Sequence, residues 1–185
     1  TAAESVFSFL ALATENNQGT QSLSKVTGAL RFEAVCLQYP SQERLALNAI
    51  NLEISAGETI ALVGASGGGK TSLVNLIPRF YSPTSGSIYL DNIEISQLEL
   101  QHLREQIAMV SQEVVLFNDT LAANIAYGKL GQVQEQEIIA AAQAAYAWEF
   151  IQEMPEGLQT IIGDNGVRLS GGQRQRLAIA RAFLK

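Results

Sequence analysis

Blocks of apolar and polar residues along this chain predict strands in its first part and helices further on. β-Branched and aromatic residues, bounded by turn-forming residues, predict strands over residues 30–39, 49–54 and 59–64. The apolar run 107–111 lacks polar alternation and predicts a buried strand of the kind found in parallel sheets. This order of elements predicts an α/β protein that begins with an antiparallel β subdomain.

A hairpin and the start of a helix are predicted between these strands. Residues 87–95 predict two short strands that turn at Asp91 and Asn92, residue types that tolerate the backbone angles of tight hairpin turns. Ser96 and Glu99 have the spacing of a capping box, in which each side chain bonds the backbone at the start of a helix. We therefore expect a helix to open directly after the hairpin.

Helical periodicity dominates two other parts of the chain. Residues 2–13 predict one amphipathic helix, which a polar stretch of Asn, Gln, Ser and Gly follows. Residues 135–154 predict the main helix of a helical insert, which Pro155 and Gly157 end. No apolar run reaches the roughly 18–20 residues that a helix needs to span a bilayer.

Composition and charge narrow the class of protein. The chain has 185 residues, 47% of them hydrophobic, which is enough for a folded core. Its net charge of −6 argues against duplex nucleic acid as a partner, because binding phosphates along a duplex needs a basic face. Cys36 is the only cysteine, which excludes an internal disulfide and fits a reducing compartment. Thr1 stands where a complete protein would have Met, so we expect a piece of a longer polypeptide.

Residues 64–71 match the phosphate-loop pattern G-x-x-x-x-G-K-[ST], between a predicted strand and a helical run. Glycines let the backbone curl until its N–H groups converge on phosphate oxygens, while Lys70 supplies a positive charge and the Thr71 hydroxyl a ligand for Mg²⁺. A flexible glycine-rich turn is the alternative, but the strand–loop–helix context favours phosphate. The residues assigned to nucleotide binding here are Gly64, Ala65, Ser66, Gly67, Gly68, Gly69, Lys70, Thr71 and Ser72.

Residues 169–173, LSGGQ, predict a second helix start that can bind an anion. Ser170 is a natural N-cap, and an ordinary helix cap is the alternative interpretation. Joined to the phosphate loop, however, this pentapeptide resembles the signature of the ATP-binding cassette family. That resemblance implies that a head-to-tail dimer presents Ser170, Gly171, Gly172 and Gln173 to ATP held by the opposite subunit.

Further roles follow from the same resemblance. Gln112 corresponds to the family's glutamine that senses Mg²⁺ and the attacking water, so the implied catalytic residues are Lys70, Gln112 and Ser170, and the implied metal ligands are Thr71 and Gln112. Tyr39 corresponds to the aromatic residue that stacks on adenine, although an ordinary strand tyrosine explains it as well. The implied cofactors are ATP and Mg²⁺.

Residues 76–92 and 163–184 resemble exporter-type half-transporters, nearest to bacterial lipid and multidrug exporters. The implied organisation is a linker helix and linker over residues 1–27, followed by a partial nucleotide-binding domain over 28–185. Within that domain, 28–111 form the β subdomain and phosphate-loop core, 112–168 the glutamine loop and helical subdomain, and 169–185 the signature helix. The implied partners are a second nucleotide-binding domain and a transmembrane domain of the same polypeptide, which residues 161–167 contact, at the cytoplasmic face of the inner membrane.

The family's next strand, which carries a magnesium-binding aspartate and a water-polarising glutamate, should follow Lys185. We therefore expect a P-loop ATPase core that is incomplete at its C-terminus, with residues 1–185 binding ATP without steady hydrolysis. The strands that end at Val63 and Val110 should then lack the neighbours that lie between them in the family. Two alternatives are a non-catalytic ATP-binding module of the same family and a small-molecule kinase, although a kinase has no need for LSGGQ.

Overall fold

The computed structural model describes residues 2–11, 15, 17–23, 25–129 and 131–185. The chain forms two compact units, Thr1–Gln106 and Ile107–Lys185. The strands of the first unit are β1 (Leu30–Leu37), β2 (Leu47–Ile54), β3 (Ser85–Leu90) and β4 (Ile93–Glu94). Its helices are α1 (Ala2–Leu10), α2 (Lys70–Leu76) and α3 (Leu100–Glu105).

The four strands of the first unit form one antiparallel sheet in the order β2-β1-β3-β4. Phe32, Val35 and Ile88 are almost fully buried on it. Phe32 and Val35 are three positions apart, and an irregularity of β1 at Ala34, whose φ is 47°, interrupts the usual alternation between them. The predicted strands 30–39 and 49–54 are confirmed with ends shifted by a few residues. The predicted hairpin is confirmed too, since Asp91 and Asn92 have φ angles of 49° and 68°.

Two predicted strands do not form among the described residues. Residues 59–64 and 107–111 belong to no strand, and Val63 is 90% exposed while Val110 is 46% exposed. A strand of a parallel sheet takes its hydrogen-bond partners from strands far away in sequence, and no strand of the described residues pairs with either segment. The prediction of strand structure is therefore wrong for both segments, although their apolar composition is typical of buried strands.

The polar stretch near the start of the chain is bound to α3 and to the residues just before it. The Glu15 carboxylate makes a paired salt bridge with Arg104, at 2.6 and 2.7 Å, and these hydrogen bonds hold the pKa of Glu15 below its ordinary value. Gly19 lies so close to Leu98 that an added Cβ would come within 2.0 Å of the Leu98 carbonyl oxygen. The Gln21 N–H donates a hydrogen bond to the Gln97 carbonyl at 3.0 Å. These contacts fix the path of the chain.

Helix α3 is capped by a residue distant in sequence. The predicted capping box of Ser96 and Glu99 is wrong, because the Ser96 hydroxyl donates to Glu94 and the helix begins only at Leu100. The Glu99 side chain makes no cap. Instead, the Asn17 side-chain oxygen accepts a hydrogen bond from the Leu100 N–H at 2.9 Å. The free amide that every helix start leaves is thus satisfied by the N-terminal stretch.

Asp91, at the turn of the hairpin, bonds the residues that directly precede β1. Its carboxylate accepts hydrogen bonds from the backbone N–H groups of Thr27, Gly28 and Ala29 and from the Thr27 hydroxyl, at 2.6 to 3.1 Å. Burial raises the pKa of this carboxyl, but the hydrogen bonds outweigh burial and hold the pKa below its ordinary value. The ionised form of Asp91 therefore stabilises the folded unit.

The second unit is helical. Its helices are α4 (Leu121–Ile125), α5 (Glu135–Ala144), α6 (Trp148–Gln152) and α7 (Gly171–Leu184), with short 3-10 helices at Gly157–Gln159 and Asp164–Gly166. The predicted helix 135–154 is interrupted, because Tyr146 takes the left-handed φ of 54°. The Tyr146 carbonyl, which a continuous helix would bond internally, accepts a hydrogen bond from Arg176 of α7 at 2.7 Å.

The core of this unit gathers apolar residues around one buried amide. Leu121, Ile151 and Ile162 have no exposed surface, and Asn124 is 1% exposed. The Asn124 side chain accepts from the Phe117 N–H and donates to the Phe117 and Thr120 carbonyls, at 2.9 to 3.0 Å. Each of these bonds satisfies backbone in a region without regular structure, so Asn124 fixes the loop that leads into α4.

The cap of α3 makes a prediction about stability. Asn17→Ala should lower the free energy of unfolding by about 0.5–2 kcal/mol, because the Leu100 N–H loses its acceptor. Urea denaturation measures the change. Gln18→Ala is the matched control, since Gln18 is exposed and makes no hydrogen bond with the described residues. Equal losses for the two variants would contradict the role of Asn17 as the cap.

Asp91 makes a prediction about pH. Asp91→Asn should cost about 1–2 kcal/mol at neutral pH, because hydrogen bonds to a charged acceptor become bonds to a neutral one. The folded pKa of Asp91 lies below the unfolded one, so its contribution is complete above the unfolded value of about 4 and disappears as pH falls through the folded value. The difference between the variant and the parent should shrink in acid. Asp164→Asn controls for the loss of one exposed charge, and a pH-independent difference would refute the assignment.

Candidate functional site

The loop before α2 is shaped by glycines in left-handed conformations. Gly67 and Gly69 have φ angles of 78° and 83°, and Gly69 caps α2 without any side chain. The Gly68 N–H bonds the Ala65 carbonyl at 3.1 Å, which closes the turn. An added Cβ on Gly64 or Gly67 would meet no atom within 4 Å, so the space beside these two glycines is open. Backbone of this kind presents N–H groups to an anion.

The ammonium group of Lys70 contacts the loop that precedes this residue. Its ammonium group donates to the Gly64 carbonyl at 2.9 Å and to the Ala65 carbonyl at 2.8 Å. An ammonium group has three N–H donors, so one remains beyond these two bonds. The loop therefore holds the Lys70 ammonium group in position, and one N–H of that group can still donate a hydrogen bond. Thr71, the next residue, is exposed.

Tyr39 is joined to the same helix start from another part of the chain. It follows the end of β1, and its hydroxyl donates to the Ser72 hydroxyl at 2.9 Å. Its ring meets the Tyr81 ring edge to face, with centroids 5.0 Å apart and an interplanar angle of 89°. The structure thus brings together two residues assigned to the site from sequence, Tyr39 and Ser72, and adds Tyr81, which sequence reasoning missed.

The second helix start lies in the second unit and forms as predicted. Ser170 caps α7, because its hydroxyl oxygen accepts from the Gln173 N–H at 3.2 Å. The Gln173 side chain in turn accepts from the Ser170 N–H at 2.8 Å. Gly171 and Gly172 are exposed, and an added Cβ on Gly172 would meet nothing within 4 Å. The helix start is therefore capped, and its first two residues are exposed and carry no side chain.

Arginines on α7 bond backbone carbonyls at its start and in α4. Arg174 donates to the Leu169 carbonyl at 2.8 Å, and Arg181 donates to the Asn124 carbonyl at 2.9 Å. Burial lowers the pKa of Arg181. Sequence reasoning assigned no such role to these residues, since the carbonyls that they bond cannot be read from the spacing of arginines. The signature loop is thus held in place from its own helix.

Gln112 is also placed in the second unit. It is exposed, lies in a bend after the unpaired run 107–111, and forms no hydrogen bond with the described residues. The strand that was expected to end at Gln112 is missing there, so local pairing does not fix the position of this side chain. In the described parts of the chain, no three His, Cys, Asp or Glu side chains form a metal-binding cluster. Each taken alone, the Thr71 hydroxyl of the first unit and the Gln112 amide oxygen of the second are groups that a metal accepts.

Residues 47–185 match the ABC transporter family, and the chain belongs to that family. The ATP-dependent lipid A-core flippase of Thiobacillus denitrificans is 56% identical to it over 184 residues, and that of Methylobacillus flagellatus is 54% identical. Each comparison covers 100% of this chain and 32% of the relative. The predicted class, an α/β ATPase of this family with an antiparallel β subdomain, is confirmed.

A solved structure shows the same likeness. The structure of a bacterial Atm1-family ABC exporter with ATP bound matches 98% of this chain with a TM-score of 0.89 and 35% sequence identity. The match covers 32% of that exporter chain. This chain therefore spans about a third of the length of the relatives that it matches. No helix within the described ranges is long and apolar enough to cross a bilayer.

The glycines of the loop predict a graded response to alanine. At Gly69 the new Cβ would lie 2.7 Å from the Ala46 carbonyl oxygen and 2.9 Å from a Leu47 methyl group, in addition to the strain of φ at 83°. At Gly67 there is strain alone, worth about 1–2 kcal/mol, and at Gly68 neither strain nor a severe clash. The loss of unfolding free energy should rank Gly69→Ala, Gly67→Ala, Gly68→Ala. Thermal unfolding of the three variants tests this, and a different order would show that the loop takes another conformation.

Proposed function

We propose that this chain is the nucleotide-binding part of an ATP-driven exporter and that it binds Mg-ATP at the loop of residues 64–72. The observation that carries the proposal is the Lys70 ammonium group, which two loop carbonyls hold at a glycine-lined opening. A fixed cation beside open backbone amides suits a chain of phosphates, because it needs little rearrangement on binding. The ATP-bound state of the matching exporter structure supports the same assignment.

Each residue of the loop has a distinct task in this proposal. Gly67, Gly68 and Gly69 let the backbone approach the phosphates, and Lys70 neutralises charge on the terminal two. The exposed Thr71 hydroxyl ligates Mg²⁺ in this proposal, and Gln112 keeps the metal-sensing role that the family resemblance implies. When bound, Mg²⁺ neutralises phosphate charge that builds up during transfer. The residues present fit this ion, since hydroxyl and amide oxygens are ligands that Mg²⁺ accepts.

The start of α7 serves a second nucleotide in the proposal. The Ser170 hydroxyl accepts from the Gln173 N–H and keeps its own proton, so it can still donate to a phosphate oxygen. Gly171 and Gly172 leave the first helical amides accessible. We assign this surface to ATP held by a second copy of the domain, in a head-to-tail dimer. The positive end of a 14-residue helix favours that anion.

The remaining partner is a transmembrane domain of the same polypeptide. Relatives that are ATP-dependent lipid A-core flippases support a lipid or another hydrophobic compound as the exported substrate. The loop of residues 161–167 is the proposed contact with the membrane domain, because Ile161 is 51% exposed and Val167 is 75% exposed. We propose the cytoplasmic face of the inner membrane as the location of the nucleotide-binding part, as the exporter resemblance implies. Residues 1–27 would lead from that membrane domain, and residues 28–185 would form the nucleotide-binding part.

Two substitutions test the nucleotide site by isothermal titration with Mg-ATP. Lys70→Ala should weaken binding more than Tyr39→Ala, because it removes a contact worth roughly 1.5–3 kcal/mol and also leaves phosphate charge uncompensated. Tyr39→Ala should cost about 1–3 kcal/mol of stacking on the base. Lys25→Ala is the control for charge, since Lys25 is exposed and makes no hydrogen bond with the described residues.

Three results would count against the proposal. The first is a failure of the unaltered chain to bind Mg-ATP. The second is a loss of binding for Lys25→Ala as large as the loss for Lys70→Ala. The third is a larger loss for Tyr39→Ala than for Lys70→Ala. The first would remove the nucleotide site itself. The second would reduce the role of Lys70 to general charge attraction, and the third would place the dominant contact at the base instead of the phosphates.

A further inference from the structure

We propose that Tyr81 is a positioning residue for nucleotide binding, which acts by fixing the ring of Tyr39 against the base. This inference rests on the proposed function and adds to it a residue that no pattern in the sequence marks. Tyr81 lies far along the chain from Tyr39, yet their ring centroids are 5.0 Å apart.

The ring pair leaves room for a base. The two planes are at 89°, so either the edge of Tyr81 points at Tyr39 or the edge of Tyr39 points at Tyr81. In both cases Tyr81 covers at most one face of Tyr39. Tyr81 leaves the other face uncovered, and Tyr39 is only half-buried. A purine offers the flat apolar surface that such a face binds without regard to its hydrogen-bonding edge.

The Tyr39 ring is tied to the phosphate loop at its far end. Its hydroxyl donates to Ser72, which stands in the first turn of α2 directly after Lys70 and Thr71. The distance between the stacking ring and the phosphate-binding charge is therefore set by one short helix turn. This hydrogen bond alone does not stop the Tyr39 ring from rotating, so fixing the ring requires a second point of contact. The Tyr81 ring supplies that second point of contact.

Tyr81 stands on backbone that is bonded to the end of β1. The Thr84 N–H donates to the Cys36 carbonyl at 2.8 Å, and the Thr84 hydroxyl accepts from the Gln38 N–H at 2.9 Å. These bonds join the segment that carries Tyr81 to the segment that carries Tyr39. Both rings are thus supported by the same part of the sheet unit, and their relative position does not depend on a mobile surface loop.

The Tyr81 side chain is not needed for the core. It is 43% exposed, and its hydroxyl makes no hydrogen bond with the described residues. Removing the ring should therefore change stability little, whereas removing only the hydroxyl should change nothing. Tyr81→Ala removes the ring, and Tyr81→Phe removes only the hydroxyl. The two variants therefore form a matched pair for the test.

The experiment compares two ligands, Mg-ATP and magnesium tripolyphosphate, by isothermal titration of the 185-residue chain. Tyr81→Ala should weaken ATP binding about 2- to 12-fold, the range expected for one aromatic pair, and leave tripolyphosphate binding unchanged. Tyr81→Phe should bind both ligands like the parent. In a Tyr39→Ala background, Tyr81→Ala should have no further effect, because it acts through the Tyr39 ring.

Each contrary result has a distinct meaning. Equal weakening of both ligands by Tyr81→Ala would show damage to the phosphate loop and overturn the positioning role. An effect that persists in the Tyr39→Ala background, or no effect on ATP at all, would overturn it too. If the parent chain binds neither ligand, the proposed function itself fails. If Tyr39→Ala weakens ATP binding and Tyr81→Ala does not, only the role of Tyr81 fails.

Discussion

Hydrogen bonds from side-chain cations to backbone carbonyls hold the loops of this chain in place. Nine of its 12 Lys and Arg residues make such a bond: Lys70, Arg79, Arg104, Lys129, Arg168, Arg174, Arg176, Arg181 and Lys185. The cations of this acidic chain therefore serve mainly to satisfy irregular backbone. A carbonyl in a loop has no partner from a helix or a sheet, and a charged donor satisfies it more strongly than a neutral one does.

The phosphate loop shows how this interaction shapes the proposed binding site. Lys70 stabilises the loop through the Gly64 and Ala65 carbonyls, while the same charge faces the opening that the glycines leave. Structural and functional demands thus coincide in one ammonium group. The helix start at Ser170 is organised differently. There a neutral capping box with Gln173 satisfies the local backbone, and Arg174 bonds the carbonyl just before it.

The segments 59–64 and 107–111 show that hydrogen bonds from nearby residues do not satisfy every part of the backbone. Their apolar residues are typical of buried strands, yet both segments are unpaired and partly exposed in the described structure. The strands of the antiparallel sheet differ, because β1, β2, β3 and β4 find all their partners within one unit. Hairpin pairing joins β1 to β2 and β3 to β4, whereas β1 and β3 pair across a longer stretch of the same unit. Parallel strands depend on partners from distant parts of a chain, so apolar composition alone cannot place them.

The sequence by itself determined the features that depend on neighbouring residues. These include the antiparallel strands, the turn at Asp91 and Asn92, the glycine loop before Lys70 and the cap at Ser170, since each follows from backbone preferences over a few positions. Tertiary structure decided which distant groups meet. It gave α3 its cap from Asn17, broke the long helix at Tyr146, and set Tyr81 against Tyr39. Contacts of this kind depend on the path of the chain in space, which local propensities do not encode.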